Sequence, residues 1–167
     1  YGMQTAAATL AGNALGANDW KRMRSLTGMI IIVEIAMMVV TGGLLFAFAP
    51  AMVSVFSNSA EVILLGSIVL RMVALSEPFY GVAVIIEGIM QGLGNTVIPF
   101  IFGIAGMWAV RIVGTFVCIK LLHMGLVSAW ACMITHNLLL FAAYVIYYLK
   151  GSWNPLLKRS DVGTRAV

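Results

Sequence analysis

Along 167 residues the polar positions gather into a few short clusters, and long apolar stretches run between them. Five such stretches stand out, at about 1–16, 27–49, 62–91, 96–122 and 125–149. The last four each reach the roughly 20 residues that a helix needs to cross the hydrocarbon of a bilayer. The third is longer and contains Pro78, which predicts a tilt or a kink there. No useful length shows the strict alternation of a half-buried strand. The pattern predicts an all-α membrane protein, a bundle of about five transmembrane helices over 1–149, followed by a basic tail over 150–167.

The connections are short. "ANDWKRMRS" (17–25) reads as a basic linker and "PAMVSVFSNSAE" (50–61) as a nearly uncharged connection in the interface. "GLGNT" (92–96) reads as a tight turn, in which Gly92 and Gly94 supply backbone freedom. Asn95 is expected to tolerate left-handed geometry there and to cap the next helix. Gly88 and Gly92 are four apart, as are Gly12 and Gly16, the spacing that lets helices approach closely in lipid. Lys21, Arg22 and Arg24, with Lys150, Lys158, Arg159 and Arg165, fall on one side of the predicted topology, and Lys120 falls on the other. The positive-inside rule therefore puts the first linker, the GLGNT turn and the C-terminus in the cytoplasm, in a multi-pass cell (plasma) membrane protein.

Composition sharpens the picture. The chain is 62% hydrophobic and 10% charged, against about a quarter charged in soluble domains. The lipid bilayer is thus its solvent and first partner. The net charge of +4 does not point to nucleic acid, because no basic stripe exists outside the loops and tail. Cys118 and Cys132 lie in apolar runs without a CxxC or Cys/His cluster and read as small apolar side chains, neither ligands nor a disulfide. The start, "YGMQTAAATLAG", has no charged region before an apolar core and reads as a helix entered partway, so the chain is expected to be a fragment.

Ionisable groups in hydrocarbon cost at least about 2.5 kcal/mol each, so each needs a reason. Here they are Glu34, Arg71, Glu77, Glu87, Arg111 and His136. Glu77 is 16 residues before Leu93 and Arg111 is 18 after it. Along antiparallel neighbours these are depths of about 24 and 27 Å. His136 and Asn137 fall near the same layer. Two readings stand for Glu77, Arg111, His136 and Asn137: a cation- or proton-responsive site on a cavity, loosened by Pro78, or a Glu77–Arg111 pair that only joins helices. Glu34 and Glu87 fall in the cytoplasmic third, where they meet headgroup water, pair with the basic linker, or line a vestibule. Arg71 is placed to snorkel outward. The eleven methionines read chiefly as apolar filler. No catalytic set, phosphate loop or metal-ligand spacing stands out, so neither an enzyme nor a metal site is expected.

The motifs bring a family into view. "IIEGIMQGLGNTVIPF", then "GMWAVRIVG", with "AAATLAGNALGANDWKRM" before them and "HMGLVSAWACMI" after, resemble in order the multidrug and toxic compound extrusion (MATE) transporters. The resemblance implies a twelve-helix protein in two six-helix lobes, of which this chain is most of the C-terminal one. The N-terminal lobe of the same chain is then a partner. It further implies efflux of small-molecule organic cations, xenobiotics among them, by antiport with sodium or protons and with no cofactor. Gln91 and Asn95 stand where the family has Arg and Asp, which removes a charge pair at the turn. The positions where some members carry a coupling acid, after the proline, are Phe79 and Tyr80 here, and the acid Glu77 precedes it. Two other functions compete: a lipid-linked oligosaccharide flippase, supported by Arg71 and Arg111, and a non-transporting five-helix membrane subunit.

Overall fold

The computed structural model describes residues 1–121, 123 and 125–151. These fold into α1 (Gly2–Gly16), α2 (Trp20–Ser54), α3 (Ala60–Gly92), a fourth span, and α6 (Leu126–Leu149). The fourth span is composite: α4 (Val97–Ala105), a π-helical stretch (Gly106–Ile112), α5 (Val113–Phe116) and a second π-helical stretch (Val117–Leu121). There is no strand among the described residues. Among the described residues, four helices are long and apolar enough to cross a membrane: Lys21–Ser54, Ala60–Gly92, Val97–Lys120 and Leu126–Leu149. The chain is an all-α, multi-pass membrane bundle.

α3 is the central helix, packed by α1, α2 and α6. Lipid tails are as apolar as leucine, so close backbone packing must hold these helices together. Small residues supply it. On α3, a β-carbon at Gly88 would lie 2.5 Å from the Gln4 carbonyl oxygen, and one at Gly92 would collide with the Ala8 backbone. Gly12 faces Gly92 in turn, at 3.2 Å. The matched order of these contacts makes α1 and α3 parallel. Gly16, by contrast, meets nothing, so of the two glycines on α1 only Gly12 packs. α2 runs antiparallel to α3, with Gly42 against Ala74 and Val53 against Gly66.

Several boundaries differ from the pattern. The expected linker over 17–25 contracts to Ala17–Asp19, because the Asp19 carboxylate accepts from the Arg22 amide at 2.9 Å and starts α2 at Trp20. The basic residues after it are good helix formers. The same helix continues through Pro50 to Ser54, past the expected end at 49. Pro78 does not interrupt α3 either. Proline leaves the carbonyl four residues back without its donor. That carbonyl, on Ala74, sits where a Gly42 side chain would begin, 2.9 Å from its β-carbon position. At the turn the left-handed residue is Gly94, with φ 79°, not Asn95. The N-cap of α4 is Thr96, without a side-chain cap bond. Asn95 instead donates to the Tyr147 hydroxyl at 3.4 Å, tying the turn to α6. The tail from 152 onward lies outside the described residues.

Candidate functional site: a polar cleft between α3 and the fourth span

The fourth span leaves the turn, rests mainly on α6 and touches α3 sparsely. It runs antiparallel to α6: Phe102 stacks edge-on with Tyr144 at 5.3 Å, and a β-carbon at Gly114 would lie 3.5 Å from Cys132 Sγ. α6 lies parallel to α3, with Phe79 packed edge-on against Phe141 at 5.3 Å. The two helices joined by the turn therefore part, with α6 behind them. A cleft of about 420 Å³ opens between them. That is within the range of about 300–1,000 Å³ that holds a small organic molecule.

Three stripes build its walls, each at helical spacing. α3 contributes Glu77, Tyr80, Val84 and Glu87; the fourth span contributes Gly103, Met107 and Arg111; α6 contributes Met133, His136, Asn137 and Leu140. Tyr1 and Gln4 of α1 complete the lining. Residues three and four apart share a helix face, so polar groups of α3, α6 and the fourth span line one cleft although the elements are far apart in sequence.

Glu77, Arg111, His136 and Asn137 thus share one cleft, together with Glu87. Of the two readings, the ion pair between Glu77 and Arg111 does not occur among the described residues. Among the described residues, the hydrogen bond of Arg111 runs to Met133 Sδ at 3.6 Å, and Glu77 lines the cleft without a salt bridge. Glu87 accepts from Gln91 Nε2 at 2.9 Å, and the buried Tyr144 hydroxyl interacts with the same carboxylate. His136 is buried, and among the described residues its Nδ1 has no well-aligned hydrogen-bond partner. The ring sits in the space left by Gly106: a β-carbon there would be 2.6 Å from Cε1 and 2.7 Å from Nδ1. Gly106 begins the π-helical stretch that carries Arg111, a local geometry common at functional sites.

Glu34 belongs elsewhere. It is 4% exposed and packs between α2 and α3, with Oε1 3.1 Å from the β-carbon position of Gly81. Among the described residues its Oε2 has no hydrogen-bond partner. It therefore meets neither headgroup water nor the basic residues of α2, and it does not line the cleft. The reason is phase: Met23, Thr27, Ile30 and Glu34 form one buried stripe of α2. Distance from the helix end alone conceals that stripe. Arg71 is exposed and reaches back to α2, where its Nε donates to the Phe46 carbonyl at 3.3 Å and its guanidinium lies 5.4 Å from the Phe46 ring centre. In the sequence Tyr80 stands out only as a position after the proline, and Met107 and Met133 only among the methionines that read as filler; the spacing of Tyr80 and Glu87 from Glu77, three and ten residues, was the signal available for the α3 wall. No cluster of three or more potential metal ligands occurs among the described residues.

Comparison with known proteins gives a consistent result. A family model described as MatE matches residues 1–117. The chain is 24% identical over 153 residues to a probable multidrug resistance protein NorM of Thermotoga maritima, covering 92% of this chain and 33% of that protein. It is 24% identical over 165 residues to multidrug and toxin extrusion protein 2 of Mus musculus, covering 97% and 28%. Human multidrug and toxin extrusion protein 1 is 21% identical over 161 residues, covering 96% and 28%. The chain thus spans about a third of the length of the relatives it matches.

Proposed function

Because the chain belongs to the MatE family, we propose that it forms most of one lobe of a secondary transporter that exports organic cations and drugs in exchange for sodium or protons. The observation that carries this reading is the cleft, in which Glu77 and Glu87 face Arg111, His136 and Asn137 across a space of ligand size. Carboxylates without an ion-pair partner are costly in lipid and are retained where a cation visits them. Tyr80 adds an aromatic face for a cation, and Met107 and Met133 add adaptable apolar contact that suits varied guests.

Exchange follows from competition. A sodium ion or a proton at Glu77 neutralises the carboxylate that holds an organic cation, so entry of one releases the other. Arg111 across the cleft weakens cation binding and keeps the guest releasable. Glu87 lies ten residues along the same wall, about 15 Å nearer the turn. By the distribution of Lys and Arg, that end is the cytoplasmic mouth in the plasma membrane, and the second lobe of the whole protein closes the open side of the cleft.

The test is ethidium efflux from cells that express the whole transporter and lack competing pumps. Efflux should collapse when the sodium and proton gradients are dissipated. Glu77→Gln should slow it more than Glu34→Gln does. Equal rates for the two variants would remove Glu77 from the transport path, and gradient-independent efflux would sink the antiport reading.

A further inference from the structure

We propose that Cys118 and Cys132 form an oxidation site that closes to an intrachain disulfide between the fourth span and α6. Their sulfurs lie 3.6 Å apart, the contact distance of two thiols. A disulfide places them about 2 Å apart, so closure asks for a shift of about 1.5 Å. Cys118 stands in the second π-helical stretch, and Cys132 stands about two turns into α6. The space between them is set by Gly114, one turn before Cys118. A β-carbon there would only touch Cys132 Sγ, at 3.5 Å, so nothing bulky holds the two helices apart.

Both thiols are free and neither is sealed in the core. Cys118 is three residues from the end of its span at Leu121, about 5 Å in depth, within reach of the interface. In the orientation proposed above this end is the non-cytoplasmic one, the side on which disulfides persist.

The oxidant is an organic hydroperoxide, a class that dissolves in the bilayer. One sulfur attacks a peroxide oxygen; the O–O bond breaks, an alcohol leaves and a sulfenic acid remains. The second thiol attacks that sulfur; the S–S bond forms, the S–O bond breaks and water leaves. Two thiols and one hydroperoxide give one disulfide, one alcohol and one water, with two electrons passing from sulfur to oxygen. The joined form staples the span that carries Arg111 to the helix that carries His136.

The sequence supplies the assay, because Lys120 lies between the two cysteines. Membranes that contain the whole transporter are treated with cumene hydroperoxide, blocked with N-ethylmaleimide, denatured without reductant and cleaved after lysine. The fragments Arg22–Lys120 and Leu121–Lys150 should stay joined, two hydrogens lighter than their sum, in protein that migrates as a single chain, and should part on reduction. Cys118→Ser and Cys132→Ser should each abolish the linkage. Separate fragments from oxidised wild type, a linkage that survives either substitution, or joining only between copies would overturn the site.

Discussion

The His136 ring occupies the space that a side chain on Gly106 would need, with Cε1 2.6 Å from the β-carbon position. This contact seats a buried, polar ring of α6 against the π-helical stretch that carries Arg111. Gly106→Ala should therefore push the ring or the stretch aside. We expect a loss of about 1–3 kcal/mol in stability and slower efflux. Gly103 lines the same cleft but has nothing within 4 Å of its β-carbon position, so Gly103→Ala is the matched control and should be near neutral. Thermal unfolding of the purified pair decides this; equal Tm values would show that His136 is not held by Gly106.

Glu77 and Arg111 face one cleft without an ion pair among the described residues. Breaking a buried pair by removing one partner costs about 3–5 kcal/mol. No such cost is expected here. Glu77→Gln should leave folded yield and Tm close to wild type, within about 0.5 kcal/mol, while efflux slows. Arg111→Met should be equally well folded, since among the described residues the charge it removes hydrogen-bonds to a thioether. A large drop in yield for either variant would reveal a pairing that the structure does not show.

Glu34 offers the opposite test. Its carboxylate is buried against Gly81 of α3, and among the described residues Oε2 has no hydrogen-bond partner. Replacing a buried, incompletely bonded polar group by an apolar one of similar shape is neutral or stabilising. Glu34→Met should therefore keep or raise Tm and leave efflux unchanged, because the residue is off the cleft. A fall of several degrees would mean that the carboxyl has a partner in the whole protein.

The fold was legible because lipid imposes it. Long apolar runs specify spanning helices almost regardless of detail, and the four long helices among the described residues overlap the four longer stretches of the pattern, with α2 running past its expected bounds at both ends. Depth along a helix also sorted Glu77, Arg111, His136 and Asn137 toward one layer. Rotation about the helix was harder to read. Glu34 faces Gly81 and Glu87 faces the cleft; because α2 begins at Trp20 and not near residue 27, Glu34 also sits level with Gly81, six residues deeper along α3 than Glu87. Helices that are apolar all round carry almost no amphipathic signal to fix their phase. The two π-helical stretches were hidden for a related reason. Nothing in "GMWAVRI" or "VCIKL" departs from ordinary helical composition, and their extra residue per turn re-aims everything after Gly106. Cys118 lies in the second of these stretches, and its contact with Cys132 was hidden with it.

The small-residue spacing can be tested helix by helix. Gly88 and Gly92 of α3 both lie against the α1 backbone, and backbone cannot give way as a flexible side chain can. Gly16 of α1 has open space around its β-carbon position and belongs to a pair of the same spacing. If close approach and not glycine content holds α1 to α3, then Gly92→Leu should separate the helices and Gly16→Leu should not. Separation would also displace Gln4, which lines the cleft from α1. We expect Gly92→Leu to cost about 1–3 kcal/mol or more, the range of overpacking in a core that cannot relax, and Gly16→Leu to stay within about 0.5 kcal/mol. Protease accessibility of the Ala17–Asp19 connection reports the same event without a transport assay, since release of α1 frees it. Equal behaviour of the two variants would show that the spacing carries no packing and that α1 is held to α3 by other contacts.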